Sequence, residues 1–150
     1  MYLKLPPPLV LLVTLGGMYL LSVYWPLWVF SFSGQYALVW ILGLIGSLPG
    51  LAGIVAFARA RTTVNPHKPH KASRLVTSGI YRFSRNPMYL GLLVWLIAAF
   101  VYLSAISAVI MIPLFILYMN NFQIEPEEDV LEAMFGDEFR EYCRKVRRWC

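Results

Sequence analysis

The chain alternates between long uncharged apolar runs and shorter polar stretches. Residues 9–25 form the first run, closed by Pro6-Pro7-Pro8 on one side and Pro26 on the other. Residues 36–58 form the second, with Gly46, Ser47, Pro49 and Gly50 at its middle. Residues 88–103 and 105–122 follow, parted by Ser104 alone, so the third and fourth runs form a tight hairpin. Each run lies near the roughly 20 residues that carry a helix across the hydrocarbon core of a bilayer. The pattern predicts an all-α polytopic membrane protein of about four transmembrane helices. A signal peptide is the competing reading of the first run. No small-x-small cleavage site follows it, however, and Tyr24-Trp25-Pro26-Leu27-Trp28 reads as an interfacial aromatic cluster. Pro49 and Pro113 each remove a helix hydrogen bond and predict kinks, whereas Pro87 is suited to start the third helix.

Two polar segments remain, a loop over residues 59–87 and a tail over residues 123–150, and both belong to one membrane domain. The stretch from Thr62 to His70 holds Pro66 and Pro69, too close together for a regular helix. The tail begins with Glu125-Pro126-Glu127-Glu128-Asp129. Val130, Leu131, Met134, Phe135, Phe139, Tyr142 and Val146 then recur at helical spacing, with a break at Gly136. This predicts an amphipathic cytoplasmic helix lying on the membrane surface.

Composition and charge sharpen the class. Hydrophobic residues make up 59% of the chain and charged residues 14%, against roughly 45–50% and 25% in soluble domains. Most of the surface must therefore face lipid. Lys4 precedes the first run, seven Lys and Arg from Arg59 to Arg85 fill the central loop, and five from Arg140 to Arg148 lie in the tail. The other two connections carry none. The positive-inside rule then puts both termini and the central loop in the cytoplasm, and the expected location is a prokaryotic inner membrane. Charge confined to alternate loops argues against a nucleic-acid partner. Cys143 and Cys150 fit no metal or redox spacing, His67 and His70 read as solvated loop residues, and no metal site is expected.

The hairpin brings Arg85-Asn86-Pro87, at the start of the third helix, beside Glu127-Glu128, beyond the end of the fourth. Arg85 can fork two hydrogen bonds to a carboxylate. Glu127 or Glu128 can accept from an ammonium group, and Tyr81, Phe83 and Tyr89 can stack on a base or face a sulfonium. S-adenosylmethionine has these features. Read singly, Arg82 and Arg85 anchor a helix end, the glutamates suit a helix N-terminus, and Tyr89 suits an interfacial belt. From the residues alone, the reading is a polar site at the cytoplasmic membrane surface.

The sequence Ser84-Arg85-Asn86-Pro87-Met88-Tyr89-Leu90-Gly91 resembles the R-H/N-P-x-Y-x-G signature of the isoprenylcysteine carboxyl methyltransferase and phospholipid methyltransferase group. Glu127-Glu128, Leu131, Phe135-Gly136, Phe139, Tyr142, Val146 and Arg148-Trp149 are similar to that group's C-terminal pattern. Leu75 to Arg82 fits its lead-in, so the resemblance covers about residues 60–149, and residues 1–58 match no motif. It implies an integral membrane methyltransferase that uses S-adenosylmethionine on a membrane lipid or lipophilic small-molecule acceptor, either isoprenylcysteine carboxylate-like or phospholipid-like. It also implies that Tyr81, Arg85, Asn86, Tyr89, Gly91, Glu127 and Glu128 bind the cofactor. Arg85, on its carboxylate, and Glu128, on its ammonium, are the catalytic candidates. Asn86 stands where many members have histidine, and asparagine cannot titrate near neutral pH. The alternatives are a nicotinamide-dependent membrane reductase of related fold and a non-catalytic membrane subunit.

Overall fold

The computed structural model describes residues 5–60 and 74–150. The expectations for Lys4, Arg61, His67, Lys68, His70, Lys71 and the proline-containing loop fall outside the described residues. Four apolar helices make up the body: α1 (Pro7–Tyr24), α2 (Gln35–Ala60), α3 (Pro87–Leu103) and α4 (Met111–Tyr118), the last within a longer helical stretch. Three stretches are long and apolar enough to cross a membrane: Pro7–Tyr24, Gln35–Ala60 and Ile106–Phe135. The 17 residues of α3 form a shorter apolar helix. Large apolar side chains stand on the outside, among them Trp40 (75% exposed) and Leu44 (69%). In water such a surface would aggregate, whereas in a bilayer it is solvated. The chain is an integral membrane protein.

Local chemistry sets the helix ends. Pro7 and Pro87 sit in the first turns of α1 and α3, where a missing N–H breaks no ladder bond. The helix α2 runs through Pro49 as one element. Pro113 was expected to kink the fourth helix. It lies in the first turn of α4, directly after a 3₁₀ segment (Ile106–Ile110).

The last apolar run does not stop where the composition changes at Glu125. Helix continues from Ile106 to Phe135. It passes from α4 through a π-helical turn (Met119–Ile124) into α5 (Glu125–Phe135), and then α6 (Asp137–Lys145) follows. The break at Gly136 falls between α5 and α6, with φ at 53°. The acidic start of the tail is thus a direct extension of a membrane helix, because nothing in Glu125-Pro126-Glu127 ends one. Pro126 sits just past the π-turn, in the first turn of α5.

At the centre, α3 packs against α2 along one side and against α1 on another. The approach to α2 depends on two glycines. A Cβ on Gly91 would run into the carbonyl oxygen of Gly46, and a Cβ on Gly46 would lie 3.0 Å from the Gly91 oxygen. On the other side Met18, Leu96, Phe115 and Met119 are fully buried together. At the end away from the tail, the α1–α2 connection is stitched to the α3–α4 turn. Phe30 N–H donates to Ser104 O and Ile106 N–H to Leu27 O, each at 2.9 Å. The Gln35 amide donates to Val101 O at 2.8 Å. This closes one end of the bundle and leaves the polar residues to gather at the other.

Candidate functional site

The α3 start, the 3₁₀ turn before it (Gly79–Arg82) and the helix extension α5–α6 meet at one end of the bundle. Between them lies a cavity of about 90 Å³. Phe57 of α2, Tyr81, Phe139 and Tyr142 supply aromatic walls. Arg85, Asn86, Glu127 and Glu128 supply the polar ones. Of the seven residues singled out in the sequence, five therefore line one cavity. Tyr89 stands behind Glu127, and its hydroxyl donates to the two carboxylate oxygens at 2.9 and 3.1 Å. Gly91 lies elsewhere, at the α2–α3 crossing, where it works as a packing residue.

The charged groups are coupled closely. Arg85 Nη1 lies 3.2 Å from Glu128 Oε1, with both side chains mostly buried, at 16% and 17% exposure. Arg85 Nη1 also reaches Cys143 Sγ. A second guanidinium closes on the same carboxylate: Arg148 Nη2 donates to Glu128 Oε2 at 2.7 Å, and Arg148 Nη1 to Glu125 at 3.3 Å. Glu128 is thus held between two arginines. The hydrogen bond from Arg148 to Glu128 raises the arginine's pKa further, so it stays charged throughout. Among the described residues Arg85 Nε is buried and has no hydrogen-bond partner. Leaving such a donor unsatisfied costs about 1–3 kcal/mol, more for a charged group. It is an unused donor on a residue that lines the cavity.

The C-terminal segment is tied to the α3 start by its backbone. Arg85 N–H donates to Arg147 O at 3.0 Å, and the Asn86 side-chain amide donates to Arg148 O at 3.1 Å. Ser84 Oγ donates to the same carbonyl at 3.4 Å. Trp149 Nε1 donates to Asn120 Oδ1 in the π-turn at 3.0 Å. Sequence reasoning gave Asn86 to the cofactor, and the structure shows its amide engaged with the tail. It also gave Tyr81 to the cofactor. That residue is buried against Phe57, edge to face with ring centres 5.5 Å apart, and its carbonyl accepts the Tyr142 hydroxyl at 2.7 Å. Burial pushes both phenols up from their ordinary value, for Tyr81 with help from Tyr142 and Glu127, for Tyr142 against the opposing pull of Arg85.

Two contributors escaped the sequence reading. Arg148 figured only as part of a C-terminal pattern, and its ion pair with Glu128 spans 20 positions. The composition puts Gln123 at the start of the polar tail. It is buried in the helix, and its amide bonds to Glu127 and Tyr89. Three amides, Asn120, Asn121 and Gln123, at the end of an apolar run were the available signal.

The sequence pattern of the phospholipid methyltransferase family matches residues 34–138, which takes in α2, the α3 start with Arg85 and Asn86, and α5 with Glu127 and Glu128. The chain belongs to that family. Its relatives agree with the assignment. A protein of Oryza sativa subsp. indica named as a probable protein-S-isoprenylcysteine O-methyltransferase is 29% identical over 106 residues, 71% of this chain and 56% of that one. The protein-S-isoprenylcysteine O-methyltransferase of Schizosaccharomyces pombe is 32% identical over 79 residues, 53% of this chain and 34% of its own. An uncharacterised protein of Haemophilus influenzae is 50% identical over 62 residues, 41% of this chain and 98% of that one. The chain thus spans about half or less of the length of the named methyltransferases. Membership makes this a membrane protein of methyltransferase type, with the family's pattern running through both halves of the site.

Proposed function

We propose that this protein is an S-adenosylmethionine-dependent methyltransferase acting at the cytoplasmic membrane face on a lipophilic or amphiphilic acceptor. One observation carries the reading: Arg85 and Glu128, a cation and an anion 3.2 Å apart in a cavity wall, with a buried guanidinium N–H left over on Arg85. An amino-acid head group is the complement of such a pair. Arg85 would hold its carboxylate through the guanidinium, and Glu128 its ammonium. Arg148 remains on the far oxygen of Glu128 and keeps that carboxylate oriented. Phe57, Tyr81, Phe139 and Tyr142 present ring faces and edges to the same space, which suits a base and a sulfonium.

The cofactor would supply a methyl group on a positively charged sulfur. The protein's part is to position the acceptor in line with that methyl and to keep water out. The aromatic walls and Leu131 provide the dry lining. An acceptor with a lipid tail reaches the cavity from the bilayer, since the cavity lies at the end of an apolar bundle. The described cationic residues Arg59, Arg74, Arg82, Arg85 and those of the tail collect at this end, which favours the cytoplasmic side.

Calorimetric titration of S-adenosylmethionine into the detergent-solubilised protein tests the reading. Binding that Glu128→Gln and Arg85→Ala each weaken about tenfold or more is expected from the loss of one charge-assisted hydrogen bond. No binding by folded wild-type protein, or binding that both variants leave unchanged, overturns it. Methyl-label transfer to membrane phospholipids and to a prenylated cysteine would then sort the acceptor.

A further inference from the structure

The π-helical turn Met119–Ile124 changes which residues share a face of the long helix. Along an α-helix a residue four positions on has moved round by roughly 40°. From Phe115 through Met119 and Gln123 to Glu127 the drift would reach roughly 120°, enough to swing Glu127 off the face that Phe115 keeps in the core. A π-turn closes its hydrogen bonds one residue further on and takes up that drift. Phe115, Met119 and Gln123 are accordingly all buried, and Glu127 continues their line into the cavity.

Gln123 does not behave like the other buried polar groups of the helices. Thr14 turns back onto a carbonyl of its own helix, Val10 O, as the half-buried Ser47 does onto Gly43 O. Gln35 reaches across, but to the end of α3, where it closes the far side of the bundle. Gln123 reaches two side chains that lead into the cavity. Its amide nitrogen donates to Glu127 Oε1 and to the Tyr89 hydroxyl, at 3.3 Å for the latter. Tyr89 in turn donates to Glu127. The amide has two hydrogens and both are used. Turned over, it would set its carbonyl against a carboxylate, so only one orientation serves.

We propose that Gln123 is a positioning residue for the cofactor site: set on the π-turn, its amide fixes the Glu127 carboxylate and the Tyr89 hydroxyl in one arrangement at the cavity wall. The proposal rests on the reading of this cavity as a cofactor site. Among the described residues, Tyr89 of α3, Tyr81 of the 3₁₀ turn and Gln123 on its own helix face Glu127. Arg74, Arg85 and Glu128 line the same cavity.

The test is the titration described above with two further variants, at acidic, neutral and alkaline pH. Gln123→Leu keeps the bulk and removes both donors; the expected result is cofactor binding about tenfold or more weaker. Gln123→Glu keeps the shape and makes the donor titratable. In acid its carboxyl carries a proton and donates to Glu127, so binding close to wild type is expected there. As pH rises the two carboxylates repel each other and binding is lost. A buried charge also loosens packing, so the melting midpoint is followed at each pH; loss of binding while the midpoint holds is the result a packing role would not give. Leucine-variant binding equal to wild type, or a glutamate variant that follows the wild-type pH profile or binds more tightly as pH rises, overturns the proposal. If Gln123→Leu fails to fold, the pH profile of Gln123→Glu decides. Wild-type protein that binds no cofactor at any pH overturns the underlying reading, and this proposal with it.

Discussion

Single residues at this site do work that their chemistry alone does not announce. Asn86 is legible in the sequence as part of a signature, and its type excludes proton transfer near neutral pH. What it does becomes visible only when the tail is in place: it holds the Arg148 carbonyl. Asn86→Ala removes that bond and leaves the carbonyl to a long contact from Ser84. A loss of about 1 kcal/mol is expected, read as a lower unfolding midpoint and faster proteolysis of the tail. The buried phenols give a pH prediction. Tyr81 and Tyr142 have folded-state pKa values raised above their ordinary value of 10.0, with burial as the main cause. Below that value both states keep the proton and stability does not change. Above it the unfolded chain releases protons that the folded chain keeps, so stability falls as pH rises. Absorbance titration of tyrosinate should show Tyr81 and Tyr142 among the phenols that ionise late, together with loss of fold. Tyr142→Phe should remove one of them and soften the alkaline loss.

At the scale of elements, the apolar runs were easy to read because hydrophobicity is a property of the residues wherever they sit. Continuity was not. The charge at Glu125 looks like the end of a membrane helix, yet the backbone goes on to Phe135. The π-turn is invisible in the sequence, since it exists to satisfy contacts made by Phe115, Gln123 and Glu127 with other helices. Glycine placement is half legible. Gly46 stood out as a small residue mid-helix, whereas Gly91 read as part of a site, and the two prove to be partners across the α2–α3 crossing. Gly91→Ala should cost about 1–3 kcal/mol by overpacking against backbone that has no rotamer to give. Gly50→Ala, where a Cβ meets nothing within 4 Å, should be nearly neutral or slightly stabilising. Thermal melts of the two variants in the same detergent check the contrast.

For the whole molecule, the candidate site was readable to the extent that topology alone brings its parts together. A hairpin forces Arg85 and Glu128 to one end, whatever the details of packing. The clamp by Arg148 depended on where the tail folds back, which no local pattern specifies. The orientation proposed from the distribution of charge has a direct check. Cys150 is exposed and Cys143 is partly covered, so a membrane-impermeant maleimide should label Cys150 from the cytoplasmic side only, and Cys150→Ser should abolish most of the labelling. The π-turn also bears on how such a chain can change its length. Deleting one residue between 119 and 124 looks, in any alignment, like the smallest possible gap. In the folded protein it comes close to that: with the extra residue of the π-turn gone, a regular helix carries Glu127 to a position eleven on from Phe115, within roughly 20° of the same face. Glu127 and Glu128 then stay on their side of the bundle. A gap of one in the regular helix on either side would instead turn everything beyond it by about 100°. Relatives that share this site can therefore lose one residue within the π-turn, and should keep the count outside it.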